Sequence, residues 1–501
     1  MRWRKVGLVA AVISTALTVP AAASTGLEWV GCGAAEAECA ELTVPLDWHR
    51  PDGRPIRVAI DRHKANPATR KGVLFMAPGV GFDFVLTGVK SGLFAKFPDL
   101  LRDFDIIGVD TRGGGLHPFY GRQPAPFRTD AITCGSPVHD PDVNSFPRNG
   151  SEFDALVRHN RAYAANCDSP LLGYMDAVSQ ARDLEAVRVA LGEQSVSMFF
   201  FGYLGPVGQT YASMFPDRVR AMALDSPVDH SVPVVARAVD FASTVEREFD
   251  RFVAWCDRST SCVLHGADVK AIYDNLLRQA DKEPVRLDLP PEPGQADPQQ
   301  RTVLVKGNDL AFLTEQALEI GDLSIGGAHS GWFDLAVAIA ESAKGTSPTF
   351  SFFYRYSWGY RDLWNPFRAG TCQDFPTTVA DLAVSEPIVA AVAPHTRGAS
   401  QAWDAMSGCV GWPVRGTNPP QPTLVRGAPP ILVIGAQGNP WSPYERVASV
   451  SAQIQGSVLL TYAGDAHIAF LSSQCVIDTM QRYLDTLVTP PPGTVCPAIP
   501  T

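Results

Sequence analysis

The sequence contains no Cys-x-x-Cys pair, and no histidines stand at ligand spacing beside its ten cysteines. That pattern argues against a structural zinc site, and no metal or other cofactor is expected. It has no cluster of basic residues. Its 42 Lys and Arg against 52 Asp and Glu leave a formal charge of -10, which points away from nucleic acid as a partner. After the first 23 residues there is no apolar run long enough to cross a bilayer. No internal repeat is visible. Charged residues are only 19% and apolar residues 46%, the composition of an ordinary globular chain with a sizeable core. Most consequential, no Ser, Thr or Cys lies between Ser197 and Thr210.

What is present begins at the amino terminus. Residues 1–23 carry Arg2, Arg4 and Lys5, then an apolar run, then Ala21-Ala22-Ala23. This reads as a secretory signal peptide cleaved near Ala23, leaving a more acidic extracellular chain with no membrane span. Ten cysteines in an exported chain suggest disulfides. Their order offers neighbour pairs: Cys32–Cys39, Cys134–Cys167, Cys256–Cys262, Cys372–Cys409 and Cys475–Cys496. Sequence alone leaves other connectivities open.

Ser195 to Pro216, SVSMFFFGYLGPVGQTYASMFP, organises the rest. Ser195–Phe201 is an apolar run ending at Gly202, which predicts a buried strand. Gly205, Pro206 and Gly208 predict a tight turn into a helix. Lys71–Ala77, Phe104–Asp110 and Val219–Asp225 are further buried strands, the first two running into glycines. Helical spacing over Ser151–Asn166 and Met175–Leu191 alternates with them, which predicts a mostly parallel sheet with helices on both faces. From about 231 to 425 the pattern turns helical, with Val235–Trp255 the longest element and an exposed loop at Pro284–Gln300. Tyr354, Tyr356, Trp358, Tyr360 and Trp364 form an aromatic-rich stretch best read as packing of this segment on the core. Two strands, Ile431–Ile434 and Val458–Tyr462, and a closing helix, Gln474–Leu487, return to the sheet. The expected organisation is therefore a signal peptide (1–23), a first core part (24–230), a helical cap insertion (231–425) and a second core part (426–501).

With these pieces placed, the chain resembles the secreted tripeptidyl aminopeptidases of actinobacteria, α/β-hydrolase-fold serine peptidases related to the proline iminopeptidases. The resemblance rests on FDIIGVDTRGGG (104–115), DLEAVRVALGE (183–193) and TYASMFPDRVRAMALDSPVD (210–229). It continues in PPILVIGAQGNPWSPYE (429–445), GDAHIAFLSSQC (464–475) and PPGTVC (491–496). It implies an α/β-hydrolase fold, mostly parallel, with an inserted helical cap. It also implies a Ser-His-Asp site on the strand–turn–helix element.

That site is degenerate here. The family turn reads Gly-Tyr-Ser-Tyr-Gly-Thr; counting without gaps puts Gly202 at the nucleophile, and a gapped match puts Leu204 there. Neither side chain attacks a carbonyl. The acid position holds Asn439, followed by Pro440, where the family has Asp-Pro. Only His467 is retained. The oxyanion loop keeps Gly79 and Gly81, but Pro78 has no amide hydrogen and Phe82 adds bulk. Tyr203 belongs to the same oxyanion region by the resemblance. Phe82, Phe200 and Leu204 are expected to line or fill the old cleft.

The expectation is an exported member of this family without catalysis, holding a peptide or small molecule in the old cleft. One alternative is an active serine-type exopeptidase or esterase with relocated residues, Asp225 or Asp229 orienting His467 and Ser226 attacking. Another is an interaction partner or inhibitor using an outer surface. Ligand and oligomeric state are not written in the sequence.

Overall fold

The computed structural model describes residues 27–32, 37–76, 96–114, 129–135, 140, 142–289, 301–319, 331–355 and 364–498. Residues 1–23, the loop with Gly79, Gly81 and Phe82, and Tyr356, Trp358 and Tyr360 lie outside them.

Ten strands form one sheet. In chain order they are β1 (Val30–Gly31), β2 (Ala37–Pro45), β3 (Pro55–His63), β4 (Gly72–Met76), β5 (Phe104–Val109), β6 (Val196–Phe201) and β7 (Val219–Asp225). Two strands, β8 (Val285–Leu289) and β9 (Arg301–Val305), form a separate antiparallel pair. The large sheet is completed by β10 (Leu432–Gly438), β11 (Val458–Asp465) and β12 (Val495–Cys496). Its order is β1-β2-β3-β5-β4-β6-β7-β10-β11-β12. Pairing is antiparallel from β1 to β5 and parallel from β5 onward. This is an α/β-hydrolase core.

The middle strands are apolar because both faces are covered. All six residues of β5 are buried, as are the first five of β6. One face packs on helices Ala177–Ala190, Gly205–Met214 and Tyr444–Gln453 through Leu184, Val187, Tyr211 and Val447. The other packs on Pro98–Asp103 and Gln474–Thr486 through Leu100, Val476, Met480 and Leu484. Strand order reverses around β4, whose neighbours are β5 and β6. Sites of open parallel sheets lie at the carboxyl ends of strands at such a reversal, and β6 ends there in Gly202.

The turn after β5, Thr111–Gly114, has a structural task. Arg112 is fully buried and forms a bidentate pair with Asp183 at 2.6 and 2.7 Å. It also donates to the carbonyls of Leu46, Tyr174 and Pro45 at 2.9–3.1 Å. Asp183 takes a further bond from Trp48 Nε1 at 2.9 Å. One cation thus ties the β2 end, the β5 turn and a flanking helix together.

Between β7 and β10 a third core forms, almost all helical. The helix Val234–Arg258 is its spine, packed against Gly307–Glu319, Val379–Val392 and Gln401–Cys409. One feature differs from expectation. The proline- and glutamine-rich loop is flanked by β8 and β9, whose alternating residues VRLDL and RTVLV pair as a hairpin. Val379–Val392 is a helix despite Pro387 inside it, fixed by a capping box of Thr378 and Asp381. All five neighbour cysteine pairs are disulfides, and no described cysteine is free.

Candidate functional site

The turn after β6 is built as a nucleophile elbow. Gly202 opens a short 3-10 turn at φ +52°, a conformation that favours glycine. The helix Gly205–Met214 follows at once, with Pro206 in its first turn. Gly205 is required by close approach: a Cβ there would stand 2.4 Å from Pro227 Cβ and 2.7 Å from Pro227 Cα. A Cβ on Gly202 would stand 3.1 Å from His467 Nε2 and 3.2 Å from its Cε1. The imidazole therefore faces the position a side chain at residue 202 would occupy.

His467 follows β11 and is 7% exposed. Its Nδ1 is buried without a hydrogen-bond partner. Its ring lies beside Trp441, centroids 4.8 Å apart. Burial alone lowers the imidazole to about 3 from its ordinary value. A depressed histidine contributes stability above its ordinary value near 6.5 and loses it as pH falls toward 3. Its Cε1 proton resonance should accordingly stay flat from pH 5 to 8.5 in an NMR titration, where an exposed histidine would move through a full step.

Asn439 follows β10 and is 1% exposed. It does not hold the imidazole. Its Nδ2 donates to the backbone carbonyl of His467 at 3.0 Å, and its Oδ1 accepts the amides of Trp441 and Ser442, each at 3.0 Å. The residue ties two loops together through main-chain groups.

Neither candidate orienting acid hydrogen-bonds the His467 ring. Asp225 Oδ1 accepts from Ser226 Oγ at 2.9 Å, and Oδ2 accepts from Phe470 N at 2.9 Å. Asp229 Oδ1 takes Ser231 N and Gln453 Nε2, each at 2.9 Å. Ser226 is fully buried. No described side chain hydrogen-bonds the His467 ring.

Burial pushes the Asp225 carboxyl up to about 7, against the opposing bonds from Phe470 and Ser226. Between the ordinary value near 4 and about 7, the unfolded chain releases this proton and the folded chain keeps it. Stability therefore falls as pH rises through that window, by up to about 1.4 kcal/mol per unit. Asp225→Asn, an uncharged mimic, should remove this slope: urea midpoints of wild type and variant should be similar at pH 4.5 and favour the variant by pH 8.

Two expected cleft residues are corrected. Phe200 is fully buried in the core. Its ring lies over the elbow helix, where a Cβ on Gly208 would meet it at 2.5 Å. Leu204 is 8% exposed and packs in the same core cluster. Strand alternation and the turn direct both side chains inward. Tyr203 is half-buried; its ring meets Phe367 edge-on at 4.7 Å, and its hydroxyl accepts a hydrogen bond from Arg237. Arg237 was not evident from sequence. Among the described residues no group of His, Cys, Asp and Glu is arranged to hold a metal ion.

Residues 393–496 match a family described as TAP-like protein. The chain is a homologue of tripeptidyl aminopeptidases. It is 25% identical to a tripeptidyl aminopeptidase of Streptomyces lividans, over 94% of this chain and 86% of that one. It is 26% identical to the serine protease Hip1 of Mycobacterium tuberculosis H37Rv, over 94% of this chain and 91% of that one. A protein of the same strain named carboxylesterase B is 26% identical, over 92% of this chain and 86% of that one. The resemblance of this TAP-like hydrolase homologue to its relatives thus runs through core and helical segment alike.

Proposed function

We propose that this TAP-like homologue is an exported hydrolase scaffold that binds a peptide or small molecule without cleaving it. In this reading residues 231–425 cap the sheet edge, and the old cleft lies between them and the elbow. The observation that carries the reading is Gly202: at φ +52° it faces His467 Nε2 and offers no hydroxyl to attack a carbonyl. Asn439 supports it, because its amide is spent on main-chain groups and leaves His467 Nδ1 without a partner. A neutral, unoriented imidazole with no nucleophile performs no acyl transfer. Export is supported by the pattern of residues 1–23 and by the five disulfides.

The test is a fluorophosphonate probe together with tripeptidyl p-nitroanilide and aryl ester substrates. Wild type should show neither labelling nor turnover above that of the His467→Ala variant. Labelling at any serine, or turnover abolished by that variant, overturns the reading.

A second reading uses an outer surface, and one observation favours it. The helix Val379–Val392 exposes Val379, Val384, Ile388 and Val392, each 37–56% accessible. Such a stripe marks surfaces that meet partners. Partner capture lost in Val384→Asp/Ile388→Asp but kept when the cleft is altered at Tyr203 would favour it.

A further inference from the structure

Arg237, in the first turn of the helix Val234–Arg258, is 3% exposed and forms no ion pair with any described residue. Its Nη2 donates to the Tyr203 hydroxyl. Its Nε has no hydrogen-bond partner. Three rings hold the guanidinium in place: Phe375 at 4.4 Å, Phe241 at 5.0 Å and Tyr203 at 5.4 Å to their centroids. Cation–π contacts offset only part of the cost of taking such a cation out of water. No described residue supplies the counter-charge.

The carboxyl groups whose fields reach Tyr203 do not supply it. Asp404 pairs with Arg368 at 3.0 Å. Glu315 accepts from Gln316 Nε2 at 2.6 Å and Gln401 N at 3.3 Å, and burial pushes it up to about 8, so it is largely uncharged at neutral pH. Two donors converge with no acceptor in the described chain. One is Arg237 Nε–H, on the guanidinium edge that takes a carboxylate bidentately with Nη2. The other is the Tyr203 O–H, whose oxygen already accepts from Arg237. Tyr203 is half-buried and follows Gly202 directly in the chain, which puts the pair one residue from the β6 turn.

We propose that Arg237 and Tyr203 seat a carboxylate of the ligand. A monoanion matches one guanidinium fork. A phosphate dianion would bring a second negative charge that one guanidinium does not balance. The proposal rests on the non-hydrolytic binding reading only in placing the ligand at the elbow. The same group arises from a small organic acid or from the free carboxyl terminus of a short peptide.

Isothermal titration calorimetry on the wild-type protein with propionate, trialanine and trialanine amide separates these sources. Trialanine should bind at least tenfold more tightly than its amide. Binding of propionate equal to trialanine assigns the seat to a small acid, and tighter trialanine assigns it to a peptide terminus; both support the proposal. Arg237→Met should weaken carboxylate binding at least tenfold. If that variant does not fold, Tyr203→Phe should weaken it several-fold while leaving amide binding unchanged. Equal binding of trialanine and its amide, no binding of any carboxylate, or full binding by a folded Arg237→Met variant overturns it. Ester turnover by the wild type would remove the non-hydrolytic reading and leave this seat standing. Absence of both turnover and carboxylate binding would remove the seat alone.

Discussion

Replacing Arg112 by Met is expected to lower the free energy of unfolding by about 3–5 kcal/mol. The cause is what remains behind. Asp183, 2% exposed, would keep its bond from Trp48 and lose both guanidinium bonds. The carbonyls of Pro45, Leu46 and Tyr174 would lose their described side-chain donor. Removing one member of a buried pair costs far more than the pair is worth against an apolar replacement. Arg112→Met/Asp183→Leu should therefore recover part of the loss, a coupling visible in a double-mutant cycle of urea unfolding. A loss below about 1 kcal/mol for the single variant would show that the pair does not hold the sheet edge to its helix.

The second large effect is a gain. Gly202→Ser should create fluorophosphonate labelling at residue 202. The turn already has the φ of +52° that a nucleophile elbow imposes, so serine would occupy it at a strain of about 1–3 kcal/mol. Its Cβ would meet the imidazole at 3.1 Å, so the ring must yield by a few tenths of an ångström and then lies within reach of the new hydroxyl. General-base assistance is worth about 10²–10⁴-fold. Labelling of Gly202→Ser should exceed that of Gly202→Ser/His467→Ala by a factor in that range. Equal rates in the two would mean that His467 no longer aims at the elbow. Turnover should stay far below that of an intact triad, because Asn439 stabilises no imidazolium.

The sequence made the sheet and the elbow legible for one reason: they are long apolar runs punctuated by glycine. FDIIGV, VSMFFF and VRAMALD each predict a buried strand, and each is one within a residue or two. Gly202 was located from its flanks, and Asn439 and His467 likewise fall at the ends of β10 and β11. Side-chain direction was not legible. Phe200 and Leu204 are apolar in a turn region, and apolarity does not say whether a ring faces the cleft or the elbow helix. Arg237 is not legible because one arginine on a long amphipathic helix reads as its solvent face; Phe241 is its i+4 neighbour on that helix, but only the fold brings Phe375 and Tyr203 to it. The β8–β9 hairpin was hidden by the proline-rich stretch between its strands.

The loop knot at Asn439 resists a charged replacement. An aspartate there would turn its second oxygen toward the His467 carbonyl, acceptor against acceptor, where the amide now donates. Such a mismatch in a buried position costs about 1–3 kcal/mol. Without a hydroxyl at residue 202, that change brings no compensating chemistry. A serine and an acid at these two positions are thus separated from the present pair by a valley: the acid carries a penalty while the glycine remains, and a serine introduced first works with an imidazole that lacks a charged partner.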